Sequence, residues 1–334
     1  MGVAFYKALK YGLGPVRKSK KLEIEILGAE SLGVRGLCCF IGCGDRNVLI
    51  DPGIALGYKR HRLLPHPFQV AVDERIQRKI LDRWQSATDI VISHFHGDHV
   101  PLADANPFQL NIRQVLGLNP DVRMWVKAPD AYTPIERERA ADLALMLKTD
   151  LLAETGRHEA MTFSRPVPHG DYNSSDTVMM TRIESERVFV HASDIQLLNE
   201  EAVLQILDWR PDVALVGGPP LYLSRLSENQ IRNAWRNALR LARGVDCLIL
   251  DHHLMRNFEG EAWLEKLSRQ SGSRVMCSAD FMNTPRMLLE ASRQKLYRDM
   301  PVSPSWHESY GMGTADTDAY WHKAGKLYPD LALL

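Results

Sequence analysis

Apolar and polar residues alternate over Leu22–Leu27 (LEIEIL), the pattern of a strand with one face buried. Two short apolar strands follow at Leu37–Ile41 and Asn47–Ile50, the second running into the turn signal Asp51-Pro52-Gly53. The period then changes. Ile76, Ile80, Leu81 and Trp84 recur at helical spacing over Glu74–Gln85, and Asp89–Ser93 (DIVIS) returns to a buried strand. Residues 101–120, punctuated by Pro101, Pro107, Gly117 and Pro120, read as a loop-rich excursion before a strand at Val122–Val126 and a helix at Ile135–Leu147. Strands are predicted at Met161–Val167, Thr177–Ile183 and Arg187–His191. Helices and strands then alternate: Glu200–Trp209, Val213–Val216, Glu228–Arg243, Cys247–Leu250, Glu261–Gln270 and Arg274–Cys277. Thr284 as a cap and Pro285 in the first turn predict a last helix over Pro285–Met300. The tail after Pro301 is rich in aromatics, Gly and Asp and shows no clear period. The order gives an α/β (α+β) chain. With no repeat or low-complexity linker, it reads as one domain over 1–334, with an insertion near 101–150 and an extension at 301–334.

Composition narrows the functional classes. Hydrophobic residues at 45% and charged residues at 25% are the mix of a soluble globular protein. Lys+Arg and Asp+Glu stand at 41 each, so no overall basic field draws in nucleic acid. Lys7, Lys10, Arg17, Lys18, Lys20 and Lys21 make the start locally basic. Five cysteines, an odd number with no C-x-x-C pair, imply no disulfide framework; they read as small buried hydrophobes in a reducing cytoplasm. No apolar run reaches the ~18 residues of a membrane span, and no secretory signal is visible.

The chemistry begins directly after the DIVIS strand, at His94-Phe95-His96-Gly97-Asp98-His99. Three imidazoles and a carboxylate cannot all enter a core, because each carries polar atoms that need partners. On an extended loop His94 and His96 project alike, while Asp98 and His99 can turn to a neighbouring point, an arrangement suited to two adjacent metal ions. Imidazole and carboxylate without thiolate suit zinc, with manganese or iron as alternatives. Further candidates stand at later strand ends: His169, Asp194 and the pair His252-His253.

HFHGDH followed by His169, Asp194 and a late His resembles the metallo-β-lactamase superfamily. LIDPGIAL, LPHP, ISHFHGDH, HASD, GGPP, LDHHLMR and LLEASRQKLY together resemble more closely a branch of predicted metal-dependent hydrolases best represented in archaea. The resemblance implies a four-layer αββα sandwich with the metals at one edge. It places His94, His96 and His169 on the first ion, and Asp98, His99 and one of His252 or His253 on the second. Asp194 would bridge them, and Asp51 would support the site by hydrogen bonding. His252 is preferred as the first after the strand, leaving His253 beside it or against substrate.

The resemblance implies a hydrolase whose two cations activate a hydroxide, with Asp98 and Asp194 serving catalysis through the metals. Several branches of the superfamily fit less well. The span from Asp194 to His252 is too short for the inserted cap of one nuclease branch. Val100-Pro101-Leu102 follows the DH pair, where the tRNA 3′-processing branch has Gly. Antibiotic-degrading members usually lack the equivalent of Asp98, and no flavin domain is visible. The expected substrate is a small molecule or nucleotide, possible classes being a phosphodiester or RNA on one side and a carboxyl ester, thioester or lactone on the other. An iron-dependent oxidoreductase and a non-catalytic metal scaffold are rival classes. Lys59, Arg60, Arg62 and His66, in a basic stretch after the Asp51 loop, are candidates to grip an anionic group.

Overall fold

The structure, a computed structural model, describes residues 21–172 and 174–329. The basic start over residues 1–21 therefore lies outside the described residues, apart from its last member, Lys21.

The early alternation becomes the first sheet. It comprises β1 (Glu23–Ala29), β2 (Leu37–Cys43), β3 (Arg46–Ile50), β4 (Asp89–Ile92), β5 (Arg123–Val126) and β6 (Leu151–Leu152), side by side in that order. The hairpin-linked β1, β2 and β3 run antiparallel, and β3 to β6 run parallel. Period two divides this sheet's side chains between two cores. Cys39, Ile41, Val48, Ile50, Val91 and Trp125 enter one apolar cluster, while Cys38, Phe40, Leu49, Ile90, Ile92, Met124 and Val126 enter the other.

The second sheet is built from β7 (Gly156–His158), β8 (Met161–Phe163), β11 (Thr181–Glu184), β12 (Val188–Ala192), β13 (Val213–Val216), β14 (Cys247–Leu250) and β15 (Arg274–Met276). A separate two-stranded ladder pairs β9 (Val167–Pro168) with β10 (Thr177–Val178). From β12 to β15 the pairing is parallel, so these four strands end on the same side. The first cluster joins the inward face of the first sheet to Phe163, Ile183, Phe189 and Leu215 of the second, and so lies between the sheets. The outward face of the first sheet is covered by α1 (Pro67–Ser86) and α2 (Pro134–Leu147), through Ile76, Ile80, Trp84, Ala140 and Leu143. Beside the second sheet lie α3 (Glu200–Asp208), α4 (Glu228–Arg243) and α5 (Glu259–Ser271); Val203, Leu241 and Leu264 join its cluster. All five cysteines are free and buried within these cores. Among the described residues no helix is long and apolar enough to cross a membrane.

The structure departs from the sequence pattern in three places. First, α1 starts at Pro67, seven residues before the predicted Glu74, because Pro65-His66-Pro67 is a helix start. The His66 side chain accepts from Phe68 N at 3.1 Å, and Gln69 returns a side-chain bond to His66 N at 3.0 Å. Second, the strands predicted over 161–167 and 177–183 are each broken. Met179 N leaves its own ladder to bond Ser93 O at 2.9 Å, which ties the segment to the end of β4. Third, the predicted helix over 285–300 is mostly irregular. Only α7 (Arg293–Asp299) remains, preceded by the short α6 (Ser278–Phe281). Met287 N bonds Ser31 O at 2.7 Å, and Glu290 takes a bidentate pair from Arg35, so tertiary partners claim this segment. The unassigned tail forms α8 (Trp306–Gly311) and α9 (Asp318–Leu327), with Trp321 tilted against Phe68 and under the Arg75 guanidinium.

Burial pushes His66 down to about 4 from its usual 6.5. The unfolded chain then takes up a proton between these values while the folded chain does not, so stability falls as pH drops from 6.5 towards 4. Denaturant titrations at several pH values should show this slope in the wild type. His66→Asn, which keeps a capping oxygen but cannot charge, should be shallower over the same window; an identical slope would contradict the assignment.

Candidate metal centre

Five strand ends build the site, β9 supplying His169. β4 leads into Ser93 and His94–His99, β3 into Asp51, β12 into Ser193 and Asp194, and β14 into Asp251, His252 and His253. Asp51, Asp194 and His252 each hold a positive φ (48°, 57° and 45°), a conformation that costs energy in a non-glycine residue and clusters at functional sites. Glycine lets these turns approach one another. A Cβ on Gly53 would sit 2.1 Å from Val100 N, and one on Gly217 would sit 3.0 Å from Asp194 Cα. The Asp51 loop can therefore pack against the motif, and the β13 end against Asp194.

Asp194 is the hub. Its Oδ1 faces His99 Nε2 at 3.1 Å and His252 Nε2 at 3.2 Å. Its Oδ2 faces His94 Nε2 at 3.3 Å, His253 Nε2 at 3.4 Å and His96 Nδ1 at 3.9 Å. Asp98 closes the first side, 3.8 Å from His99 and 3.7 Å from His252. His169 closes the second, with ligand atoms in mutual reach of Asp194 and His253. One carboxylate thus separates Asp98, His99 and His252 from His94, His96, His169 and His253. Every metal-ligand candidate of the sequence is brought together here, and the two tandem histidines fall on opposite sides.

Positioning bonds leave the inward atoms free. Asp51 accepts from Ser93 N and Ser93 Oγ, each at 2.7 Å, and from His99 Nδ1 at 3.0 Å. Ser93 Oγ, its proton given to Asp51, accepts from His94 Nδ1 at 2.8 Å. These bonds put the protons of His94 and His99 on Nδ1 and turn each Nε2 inward. His94 Nε2, His99 Nε2, His169 Nε2, Asp194 Oδ1 and both nitrogens of His253 are buried without a hydrogen-bond partner. Unpartnered buried polar atoms are unfavourable, and several aimed at one point fit a cation. The residues present therefore fit a metal centre.

The electrostatics agree with that fit. Burial is the largest influence at Asp194 and opposes ionisation, yet His99, His252, His253 and His94 outweigh it and hold the carboxyl well below the usual range. Burial followed by His99 and His96 pushes His94 down to about 3, and burial followed by His252 pushes His253 down to about 3. Both imidazoles are neutral at ordinary pH, the form in which a histidine can hold a cation. His99 moves the other way: burial would lower it, but Asp194 and Asp98 raise it well above its usual value. In the metal-free chain it carries a proton that a cation would displace.

Several contributors carry no sequence signal of their own. Glu136 of α2 accepts from Phe95 N at 3.2 Å and pairs with Lys127 at 2.7 Å, while Arg139 donates to Phe95 O at 2.8 Å, clamping the motif from behind. Gln196 meets His169 Nδ1 at 3.2 Å. Asp251 accepts from Ser31 N, His252 N and Ser278 N at 3.0, 2.7 and 2.8 Å, fixing the β14 turn. The basic stretch divides. Lys59 and Arg62 are exposed and Arg60 is half-buried. His66 lies apart, its ring nitrogens occupied by Phe68 N and Met300 O. A cavity of about 350 Å³ opens beside His169, lined by Asp171, Asp176, Gln196, Leu223 and Arg225.

No family model matches the chain. It is 46% identical over 302 residues to a UPF0282 protein of Methanosarcina mazei, covering 90% of this chain and 99% of the relative. A UPF0282 protein of Thermococcus gammatolerans is 32% identical over 294 residues, covering 81% and 94%. Among solved structures, a metallo-β-lactamase HARLDQ-motif mutant of Cronobacter sakazakii overlaps at 13% identity and a TM-score of 0.31, covering 85% of this chain and 98% of that one. That overlap is too low to define a shared architecture.

His96 has a partly exposed side chain, so His96→Ala tests the centre with little disturbance of the core. Metal content by elemental analysis should fall; unchanged content would place the metal elsewhere. Asp51→Asn should weaken metal affinity by about 10–100-fold, the usual effect of losing an orienting partner. Because His99 must release its proton, affinity should rise with pH.

Proposed function

The chain belongs to the UPF0282 family, and we propose that it is a metal-dependent hydrolase of metallo-β-lactamase type. Its helix-covered paired sheets support an αββα reading of the fold. The observation that carries the proposal is Asp194, whose two oxygens face two separate groups of imidazoles. His94, His96 and His169 would hold one divalent cation, with His253 beside them; Asp98, His99 and His252 would hold the other. Zinc suits these donors first, and manganese or iron next. Bound there, two cations supply an acidified water for attack and offset oxyanion charge.

The chain's own residues do the rest. Asp51 and Ser93 orient His99 and His94, so the inward nitrogens stay unprotonated once a cation is bound. Asp194 keeps the two halves at a fixed separation. The apolar packing behind the turns excludes water from all but the His96, Asp98 and His169 side, where substrate must approach. The cavity beside His169 is about 350 Å³, at the small end for a small-molecule site, which supports a compact substrate such as a nucleotide. We favour a phosphodiester, because the Asp98 half of the centre suits phosphoryl chemistry. Five free, buried thiols support a reducing, cytoplasmic setting.

The test is hydrolysis of bis(p-nitrophenyl) phosphate by protein reloaded in turn with Zn, Mn and Fe(II). Asp194→Ala should lose more than about a hundredfold in turnover, since even orienting partners are worth ~10–100-fold. Fully loaded protein that turns over no phosphodiester would exclude that substrate class and point to esters, thioesters or lactones. Oxygen consumption by iron-loaded protein would replace hydrolysis with a redox function.

A further inference from the structure

Beyond the centre itself, guanidinium groups gather on the Asp98–His252 side around Tyr222. Arg256 follows His252-His253 by one short turn and is only 7% exposed. Its Nε donates to Glu30 at 3.3 Å and its Nη1 to Tyr222 Oη at 2.9 Å. Its Nη2 lies 3.4 Å from both ring nitrogens of His252. Equal distance to the two nitrogens is the geometry of a guanidinium lying over a ring face. It is not that of a donor aimed along one lone pair. His252 Nδ1 already receives Gly36 N at 3.2 Å, and Nε2 is turned towards Asp194. Arg256 Nη2 is therefore held only by long contacts to the His252 ring, the weakest of its bonds.

Arg60 supplies a donor that is free. Its guanidinium lies 5.6 Å from the Tyr222 ring centre, against 5.2 Å for Arg256, and its buried Nε has no partner. The backbone of Arg60 is pinned by reciprocal bonds with Leu63 at 3.0 and 2.9 Å. Arg35 completes the cluster but is already committed, through Nε and Nη2, to Glu290 at 2.7 and 2.6 Å. Three guanidiniums thus stand beside Glu30 and Glu290, with Asp98 also in electrostatic reach of Arg256. The free Nε of Arg60 is the kind of donor that grips planar or tetrahedral oxyanions.

We propose that Arg60, Arg256 and Tyr222 form an anion-recognition subsite flanking the Asp98–His99–His252 half of the centre, taking a phosphate or carboxylate group of the substrate. The proposal rests on the hydrolase reading for its context and adds to it the charge of the substrate. Of the basic residues singled out in the sequence, it selects Arg60.

The test is calorimetric binding of inorganic phosphate and of acetate to full-length, metal-loaded protein, comparing wild type with Arg60→Gln and Arg60→Lys. Arg60 Nε bonds no protein acceptor, so the substitutions remove no side-chain bond at that atom. Metal content is measured in parallel. Arg60→Gln should weaken one anion by about tenfold with metal content unchanged, the loss of one charge-assisted contact, and Arg60→Lys should restore part of it. The anion affected tells phosphate from carboxylate. Equal affinities in all three proteins would overturn the subsite. Arginine-dependent anion binding by a protein that hydrolyses no ester would keep the subsite and remove the hydrolase reading.

Discussion

Everything at this site depends on a carboxylate buried among imidazoles. Asp194 is 2% exposed, held at a positive φ at the end of a parallel strand, and within 4 Å of five histidines. Buried alone, such a charge would be driven to neutralise. It remains ionised because the histidine cluster is arranged around it, and the cluster is tolerable because the carboxylate is at its centre. The two are stable only together, or with cations between them. The candidate ligands that build the site come from four separate strand ends.

The rest of the fold holds that arrangement rigid. The first sheet contributes the motif and Asp51, whose bonds to Ser93 and His99 span adjacent parallel strands. The second contributes Asp194 and the tandem histidines, anchored by Asp251 to Ser31 and Ser278. The apolar layer between the sheets therefore does more than stabilise the chain. It sets the distance across which imidazoles of one sheet meet the carboxylate of the other. Around the rim, ion pairs such as the buried Lys127–Glu136 and half-buried Arg35 on buried Glu290 fix the loops. Partners of this kind are strongly destabilising to break singly, which favours one geometry over many.

Much of this was legible in the residue pattern, and the exceptions share one cause. Strands with two-residue or continuous apolar patterns, such as Val213–Val216 and Cys247–Leu250, appear with the predicted ends, because their burial is dictated locally. The segment over 285–300 has good helical composition and a proper start signal, yet most of it is irregular. Ser31 and Arg35, some 255 residues away, take its backbone and side-chain groups. His66 looked like part of a basic loop, but the Pro on its C-terminal side and Gln69 make it a helix cap, and Met300 O draws its ring inward.

The residue pattern alone sets the chemical types of the candidate ligands, their order and their place at strand ends, since a strand followed by a polar cluster leaves those side chains at a sheet edge. It also named Asp51 as a supporting group. How these candidates divide around Asp194 emerges only when the sheets pack. His252 and His253 are neighbours in the chain with the same side chain, so no local pattern distinguishes them. The positive φ at His252 and the bond from Gly36 send one ring to Oδ1 of Asp194 and the other to Oδ2. The guanidinium cluster around Tyr222 likewise arises from residues 30, 35, 60, 222, 256 and 290. Electrostatic pairing acts through space, and the distances that set its strength exist only once the two sheets have closed.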